Sequence, residues 1–209
     1  MRRLVLLALV LALTAGTSTV QAQHRKSSRQ SDSAPTGLML NLHAFAMPGF
    51  SISGADIAGA IQTSMGPGLG AQVGYAITPQ FLIFAGADIA RLGAGGNTTG
   101  HWGLGMLELG GRMSFPTANG RVSPYVTASF GTRGIGAKLG NAGDISFDGL
   151  ALSGGAGLTY MLSQSLALDG GATLSLGKLG NYEDPLQKLD LNVGNTVTTR
   201  VRFGLNWYP

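Results

Sequence analysis

The feature that most constrains the fold of this chain is an alternation of apolar and non-apolar residues, which recurs in about eight segments after Pro35. Side chains of a β-strand point to alternate faces, so each such segment has one apolar face and one face of small or polar side chains. The pattern therefore predicts an all-β chain of amphipathic strands. In the clearest segment the apolar positions are Leu166, Leu168, Ala172, Leu174 and Leu176.

The scarcity of charge decides which face of the predicted sheet is the exterior. Charged residues make up 11% of the chain. A water-soluble sheet with an apolar core needs an outer face of Lys, Glu and Asp, and this chain has too few of them. A closed barrel whose apolar face contacts lipid fits better. We therefore predict an eight-stranded antiparallel transmembrane β-barrel of the outer-membrane type.

The N-terminal segment has the layout of an export signal. Arg2 and Arg3 precede the apolar run from Leu4 to Leu13, and the small-residue stretch Val20-Gln21-Ala22 follows. Cleavage after Ala22 makes residues 1–22 the signal peptide. The apolar run is shorter than the ~20 residues of a membrane-spanning helix, and no later stretch reaches that length. An exported membrane protein of this kind is expected to cross the membrane as a barrel.

Residues 23–36 form a separate polar segment. They are rich in Ser and show no periodicity, which predicts a disordered tether. Arg25, Lys26 and Arg29 supply most of the mature net charge, which falls from +4 to +2 when Arg2 and Arg3 leave with the signal. No basic stripe follows one face, so no nucleic-acid partner is expected. Contact of the tether with anionic lipid head groups or cell-wall polymer is the alternative role.

Residues 37–209 are predicted to form a single barrel domain. Short connections at Thr78-Pro79-Gln80, from Phe115 to Arg121 and at Ser163-Gln164 carry turn residues. Longer segments at 47–66, 92–101, 136–147 and 178–193 are rich in Gly, Asn, Asp and Ser. Short periplasmic turns and long external loops are typical of outer-membrane barrels. The predicted strands are 37–46, 67–78, 80–91, 102–115, 122–135, 148–162, 165–177 and 194–208.

Charged residues of these strands fall on the phase opposite the apolar residues. Asp88 alternates with Ala87 and Ile89, and Arg202 alternates with Val201 and Phe203. An Arg or Lys that faces lipid near the bilayer midplane costs ~2–4 kcal/mol, so these charges are expected to face the lumen. The lumen of an eight-stranded barrel is only wide enough for side chains to fill it.

The inward charges are predicted to form a network in which each charge is neutralised by a partner. Counting from the turns places His43, Asp88, Glu108, Arg200 and Arg202 at similar heights near the middle, with Asp169 and Arg112 lower. The network is either a structural plug or a gate that opens when an ion pair rearranges. Its predicted members are Asp88, Glu108, Arg112, Asp169, Arg200 and Arg202.

The 34 glycines and the few aromatic residues fit the same barrel. Gly weakens a strand interior, so inward Gly is expected where a large neighbour crosses the narrow lumen. Aromatic residues beside the turns are expected to form a girdle at the membrane interface. The inward glycines are predicted to include Gly68, Gly70, Gly74, Gly155 and Gly157, and the girdle to include Phe81, Phe115, Tyr160, Trp207 and Tyr208.

No catalytic site, metal site or cofactor is predicted. The chain has no Cys, and its three histidines lack the spacing that brings two imidazoles to one metal. The nearest arrangement to a hydrolase is His101 with Ser129 or Ser153 and Glu108, but Glu108 and Ser153 are assigned inward. A carboxylate pair for glycoside cleavage needs an open cleft, which a narrow barrel lacks. We expect a protein that is not an enzyme.

Several short motifs carry a resemblance to a known family. They are the first strand from Leu38 to Phe45, the turn from Ile77 to Phe81, the segment from Leu107 to Arg112, and Pro124-Tyr125-Val126 at the start of a strand. With the export signal, they make residues 37–209 resemble the small outer-membrane β-barrel superfamily of OmpA/OmpW-like and opacity-type proteins. The resemblance implies a mostly monomeric barrel that serves as an envelope anchor, an adhesin or a passage for small, often apolar, solutes.

The resemblance also implies two partners. One is the outer-membrane lipid around the wall. The other is the barrel assembly machinery, which in this superfamily recognises a C-terminal strand that ends in an aromatic residue. The chain ends Phe203-Gly204-Leu205-Asn206-Trp207-Tyr208-Pro209, so a Pro follows the aromatic residues. We expect no peptidoglycan-binding domain after the barrel, and the anchoring role of longer relatives is not carried over.

Three functional hypotheses follow from these observations. The first is a structural or surface-interaction role through the external loops, with the lumen plugged by the charge network. The second is a narrow channel for small or apolar solutes. The third is a soluble secreted ligand-binding β-barrel, which requires the apolar phase to point inward. No loop contains a motif that identifies an extracellular or small-solute ligand.

Overall fold

The computed structural model describes residues 35–53, 65–93, 101–117, 120–138, 144–183, 188–189 and 194–209. Its strands are β1 (Gly37–Ser53), β2 (Gly66–Ala76), β3 (Phe81–Gly93), β4 (His101–Ser114), β5 (Val122–Lys138), β6 (Asp144–Met161), β7 (Leu166–Glu183), β8 (Lys188–Leu189) and β9 (Gly194–Trp207). The described residues contain no helix long and apolar enough to cross a membrane.

The long strands close into a barrel. Consecutive strands from β1 to β7 pair antiparallel, and β9 completes the circle between β7 and β1. The two-residue strand β8 pairs with the end of β7. The predicted fold class, an eight-stranded antiparallel barrel, is confirmed.

Tight turns join β2 to β3 and β6 to β7 where the sequence predicts them. In the first, the hydroxyl of Thr78 accepts a hydrogen bond from the backbone N–H of Phe81 at 3.0 Å. In the second, the hydroxyl of Ser163 accepts one from Leu166 at 3.1 Å. A hydroxyl that caps its own turn in this way fixes a short connection. We call this end of the barrel the turn side and the opposite end the loop side.

The strands extend further into the loop side than predicted. β1 continues to Ser53 rather than ending at residue 46, β6 begins at Asp144 rather than at 148, and β7 continues to Glu183 rather than ending at 177. The pairing of β1 with β9 shifts register between Ala46 and Gly49. Pro48 cannot donate a ladder hydrogen bond, and a bulge lets the strand continue past it. The prediction that a loop begins at residue 47 is therefore wrong.

The two faces of the wall have opposite chemistry across most of its height. On β1, Leu42 is 70% exposed, whereas Asn41 and His43 on either side are 1% and 5% exposed. Large apolar side chains cover the outside of the other long strands as well. This polarity is the reverse of a soluble barrel, so it contradicts the third hypothesis.

The loop side departs from this pattern. On β4, Leu104 and Met106 are buried inside, while Gly103 and Gly105 face outward. β6 and β7 each have 18 residues, whereas a tilted strand needs ~9–11 to cross the hydrocarbon. The extra length carries the strands beyond the lipid, where an apolar interior is favoured. The loop-side apolar cluster consists of Phe45, Met47, Ala90, Leu92, Leu104, Met106, Ile135, Phe147 and Leu179.

A second apolar cluster fills part of the interior at the turn side. It consists of Met39, Ala76, Leu82 and Phe84, and Tyr208 packs against it. The expectation of a small or polar lumen is therefore wrong at both ends. The girdle prediction holds for Phe81, Phe115, Tyr160 and Trp207, which are 43% to 50% exposed on the turn side. Tyr208 instead faces the interior.

Candidate functional site

All six charged residues predicted for the lumen lie on inward positions, and the structure divides them between two clusters. The loop-side cluster consists of His43 on β1, Asp88 on β3, Glu108 on β4 and Arg200 on β9. The turn-side cluster consists of Arg112 on β4, Tyr125 on β5, Asp169 on β7 and Arg202 on β9.

Arg200 holds the loop-side cluster together. Its Nη1 donates to Oδ2 of Asp88, and its Nη2 donates to Oε1 of Glu108 at 2.6 Å. His43 places Nε2 3.0 Å from the other oxygen of Asp88. The hydroxyl of Ser153 adds a hydrogen bond of 3.1 Å to Glu108. One guanidinium thus pairs with two buried carboxylates. Charge-assisted hydrogen bonds of this kind are stronger than those between neutral groups.

Asp169 plays the central part in the turn-side cluster. Its Oδ2 accepts a hydrogen bond of 3.0 Å from Nη1 of Arg112. Its Oδ1 accepts one of 3.2 Å from the hydroxyl of Tyr125 and lies 3.6 Å from Nε of Arg202. The ring of Tyr125 also stacks under the Arg112 guanidinium at 4.1 Å, a cation–π contact.

Arg202 differs from its predicted height. The sequence places it level with Asp88 and Glu108, whereas its register opposite Gly171 on β7 puts it beside Asp169. It donates from Nη2 to the Tyr125 hydroxyl at 3.2 Å. Strands of a barrel tilt and are staggered, so equal counts from the turns do not give equal heights.

Two asparagines connect the clusters. Oδ1 of Asn41 accepts a hydrogen bond of 2.6 Å from Nδ1 of His43, and Nδ2 of Asn41 donates to Oδ1 of Asn206 at 2.6 Å. Nδ2 of Asn206 in turn lies 3.5 Å from Oδ2 of Asp169, at the limit of a hydrogen bond. A chain of polar contacts therefore runs through the lumen from Asp88 to Asp169.

Sequence reasoning missed two members of this interior. The sequence predicts Tyr125 only as part of the motif Pro124-Tyr125-Val126, and it does not place Arg133 in the lumen network. Arg133 is 2% exposed and donates from Nη1 to the hydroxyls of Thr196 and Thr198 at 3.0 and 2.7 Å. Both residues share the phase of the inward position Thr127 on β5, so extending the alternation along that strand finds them.

Glycine makes room for both clusters. A Cβ on Gly70 would lie 2.0 Å from Oδ1 of Asp88 and 2.5 Å from Nε2 of His43. A Cβ on Gly157 would lie 2.4 Å from the hydroxyl of Tyr125. The contact between β1 and β3 across β2, and the position of the Tyr125 ring, thus require the absence of a side chain. The other predicted glycines, Gly68, Gly74 and Gly155, also face inward.

The hydrolase-like arrangement is not assembled. Ser129 and Ser153 contact Glu108 in the lumen, while His101 is exposed at the loop-side start of β4. Within the described residues, no three His, Cys, Asp or Glu side chains are grouped so that they could hold a metal ion. What the two clusters can do chemically is to hold the strands in register and to fill the lumen with paired charge.

Comparison with known proteins agrees with this geometry. The family model described as "Outer membrane protein beta-barrel domain" matches residues 6–206. The chain belongs to this family. No curated protein matches it by sequence. Membership of the family implies that this barrel resides in a bacterial outer membrane, with the exposed apolar band of the wall in contact with lipid.

Several solved structures share the fold. Neisserial surface protein A matches with a TM-score of 0.60 and 17% identity, over 82% of this chain and 97% of that one. OprG from Pseudomonas aeruginosa matches with a TM-score of 0.58 and 15% identity, over 85% and 98%. Ail, the attachment invasion locus protein of Yersinia pestis, matches in its complex with the heparin analogue sucrose octasulfate with a TM-score of 0.50 and 14% identity, over 83% and 100%.

Proposed function

We propose that this barrel is a structural or surface-interaction protein of the outer membrane, which presents its external loops outside the cell and whose lumen is plugged. The observation that carries the proposal is the filling of the lumen by side chains. The loop-side apolar cluster, the two charged clusters and the turn-side apolar cluster together occupy the interior. An eight-stranded barrel with such an interior has no room for a broad aqueous channel.

The surface role draws support from relatives of the same fold. One is described as a neisserial surface protein and another as an attachment invasion locus protein. In the described residues the interior polar groups are engaged mainly with one another, and no metal-binding group is present. We therefore place the function in the loops and propose that the protein is not an enzyme.

Single-channel conductance of the refolded protein in a planar bilayer tests the plug. We expect no steady conductance from the native protein, and leakage or lower stability after Arg202→Ala or Glu108→Ala. Arg91→Ala is the matched control, because Arg91 is exposed on the outside of β3. Steady native conductance that either lumen change alters would overturn the plug and make the clusters a gate.

A narrow channel is the second candidate, and incomplete pairing inside the lumen favours it. Nε and Nη2 of both Arg112 and Arg133 are buried without a hydrogen-bond partner. Arginine nitrogens without fixed partners are able to exchange contacts more easily than Nη1 and Nη2 of Arg200, which both donate to carboxylates. The conductance experiment separates the two candidates directly.

The proposed orientation is tested by labelling, which the absence of Cys makes simple. We expect Thr63→Cys, between β1 and β2, to react with a membrane-impermeant maleimide on intact cells. Gln164→Cys, in the turn between β6 and β7, is expected to react only after the outer membrane is permeabilised. Labelling of both variants on intact cells would contradict the orientation.

Export and assembly complete the proposal. Cleavage after Ala22 predicts a mature N-terminus at Gln23, which mass spectrometry of the purified protein checks. Trp207 ends β9, the strand that closes the barrel against β1. We expect Trp207→Ala to slow assembly in cells more than Trp102→Ala, because the aromatic at the end of the last strand is the proposed recognition signal of the assembly machinery.

A further inference from the structure

The imidazole of His43 is held inside the barrel with almost no contact with solvent. Its side chain is 1% exposed. The residue packs against two glycines, because a Cβ on Gly70 would lie 2.5 Å from its Nε2 and a Cβ on Gly204 would lie 2.6 Å from its Cβ. The ring of Phe45 lies on another side, with the two ring centroids 6.0 Å apart. The hydrogen bonds of this imidazole therefore have to come from neighbouring protein groups.

Both ring nitrogens of His43 face oxygen atoms. Nε2 lies 3.0 Å from Oδ1 of Asp88, whose other oxygen accepts a hydrogen bond from Arg200. Nδ1 lies 2.6 Å from Oδ1 of Asn41. A carboxylate and an amide oxygen only accept hydrogen bonds, whereas a neutral imidazole has a single donor nitrogen. The two contacts together require an imidazolium, in which both nitrogens donate.

The orientation of the two amides that follow Asn41 Oδ1 supports this assignment. Nδ2 of Asn41 lies 3.3 Å from the backbone carbonyl oxygen of Leu205 and 2.6 Å from Oδ1 of Asn206. A flip of Asn41 would set its oxygen against that carbonyl, and a flip of Asn206 would set its oxygen toward Asp169. Each amide thus accepts on one side and donates on the other. Because the chain of contacts ends in a carboxylate at both Asp169 and Asp88, one member has to donate in both directions, and that member is His43.

The charge of the loop-side cluster agrees with an imidazolium. The charged residues at inward positions around His43 are Asp88 on β3, Glu108 on β4, and Arg200 and Arg202 on β9. Arg202 is paired with Asp169 in the turn-side cluster. The two acids of the loop-side cluster therefore share one guanidinium, and a second positive charge on His43 balances them. Buried charges are tolerated when each has a partner of opposite sign.

We infer that His43 is a proton-dependent latch of the loop-side cluster. With a proton on each nitrogen it joins β1 to Asp88 on β3 and to the amide chain that leads to β9. A neutral ring has to turn a lone pair toward the oxygen of Asp88 or of Asn41, and one of these two links is lost. Protonation of His43 therefore stabilises the folded barrel. This contribution is present in acid, and it is lost as the pH rises and the ring gives up a proton. The inference goes beyond the proposed function and holds whether the barrel is a plug or a channel.

Urea unfolding of the refolded barrel tests the latch when it is measured at about pH 5 and at about pH 8, between which an ordinary imidazole changes its charge. We expect the urea midpoint of the native protein to fall at the higher pH. His43→Gln replaces the titrating ring by a neutral amide and is expected to lose most of this dependence. His101→Gln is the matched control, because His101 is exposed at the start of β4, and is expected to keep it. A native midpoint that does not fall, or an equal fall in His43→Gln, overturns the inference.

Nitrogen NMR of the barrel isotope-labelled at histidine reads the proton state without a change at His43. The nitrogen shifts separate an imidazolium, with two N–H groups, from a neutral ring, with one. The chain has three histidines, so variants at His24 and His101 assign the remaining signals to His43. We expect two protonated nitrogens on His43 at about pH 5, and the loss of one proton over the pH interval in which the urea midpoint falls. A neutral His43 ring at about pH 5 overturns the inference, even if His43→Gln does not fold.

Discussion

The two charged clusters of the lumen are built with opposite stoichiometry. In the loop-side cluster one arginine, Arg200, bridges two acids, whereas in the turn-side cluster one acid, Asp169, is shared by two arginines. When His43 is uncharged, the loop-side cluster has one acid more than it has arginines, and the turn-side cluster has one arginine more than it has acids. The comparison teaches that each cluster depends on one shared residue, Arg200 or Asp169, whose removal leaves two oppositely charged partners without their ion pair.

The two clusters also differ in the neighbouring groups that contact them. Glu108 in the loop-side cluster accepts further hydrogen bonds from serine hydroxyls. In the turn-side cluster the Tyr125 ring supports Arg112 and its hydroxyl contacts both Asp169 and Arg202. Excess negative charge is thus stabilised by hydroxyl donors, and excess positive charge by an aromatic face.

Removal of Arg200 is expected to have the largest effect. Arg200→Met leaves Asp88 and Glu108 buried without their shared cation, and breaking a buried pair costs about 3–5 kcal/mol. The free energy of urea unfolding in lipid vesicles measures the loss. Arg91→Met, on the exposed outer face, is the control. A loss no greater than that of the control would show that the loop-side cluster is not held by Arg200.

Asp169→Asn tests the turn-side cluster by removing its shared negative charge. The amide keeps the size and an acceptor oxygen but leaves Arg112 and Arg202 without a carboxylate, so we expect a loss of about 2–3 kcal/mol in the same assay. Adding Arg202→Gln to this variant removes one of the two cations and is expected to recover part of the loss. If the double variant is instead additive, the excess positive charge is not what destabilises Asp169→Asn.

Gly70→Ala probes the space that the loop-side cluster occupies. The new Cβ would approach within 2.0 Å of the Asp88 carboxylate, and overpacking of this kind costs about 1–3 kcal/mol. Gly154→Ala is the matched control, because no atom lies within 4 Å of its Cβ position on the outer face. We expect the control to gain about 0.5 kcal/mol, since Ala is favoured over Gly within a strand. Equal effects would contradict the close approach.

Tyr125→Phe is expected to have the smallest effect. It removes the hydroxyl that links Asp169 to Arg202 but keeps the ring beneath Arg112. Loss of such a hydrogen bond costs about 1 kcal/mol. Urea unfolding measures it beside Asp169→Asn. A loss as large as that of Asp169→Asn would mean that the hydroxyl, rather than the carboxylate, organises the turn-side cluster.

The sequence predicts the inward position of these charges because a period of two leaves no choice of face. Asp88 and Arg200 are in phase with polar residues, and a charged side chain on the lipid face has a high free-energy cost. The pairing of Arg202 with Asp169 was not predictable in the same way. It depends on the stagger between β7 and β9, which a count along each strand does not contain.

The apolar ends of the lumen were missed for a different reason. Leu104 and Met106 continue the alternation of β4, but they lie on the opposite phase from Leu107 and Leu109. The phase of the apolar residues inverts where the wall leaves the lipid. Alternation in the sequence shows that one face of a strand is apolar. It does not show whether that face points outward to lipid or inward to the lumen at a given height.

The sequence by itself determined that this chain is a lipid-facing barrel of eight strands, where its short turns lie, and that its rare charges face inward. Each of these follows from local periodicity, turn chemistry and the cost of charge in hydrocarbon. The tertiary structure alone decided which charges meet, that Tyr125 contacts Asp169, and that Arg133 bonds to Thr196 and Thr198. Those contacts join side chains from distant strands, and their distances are set by the tilt and closure of the barrel.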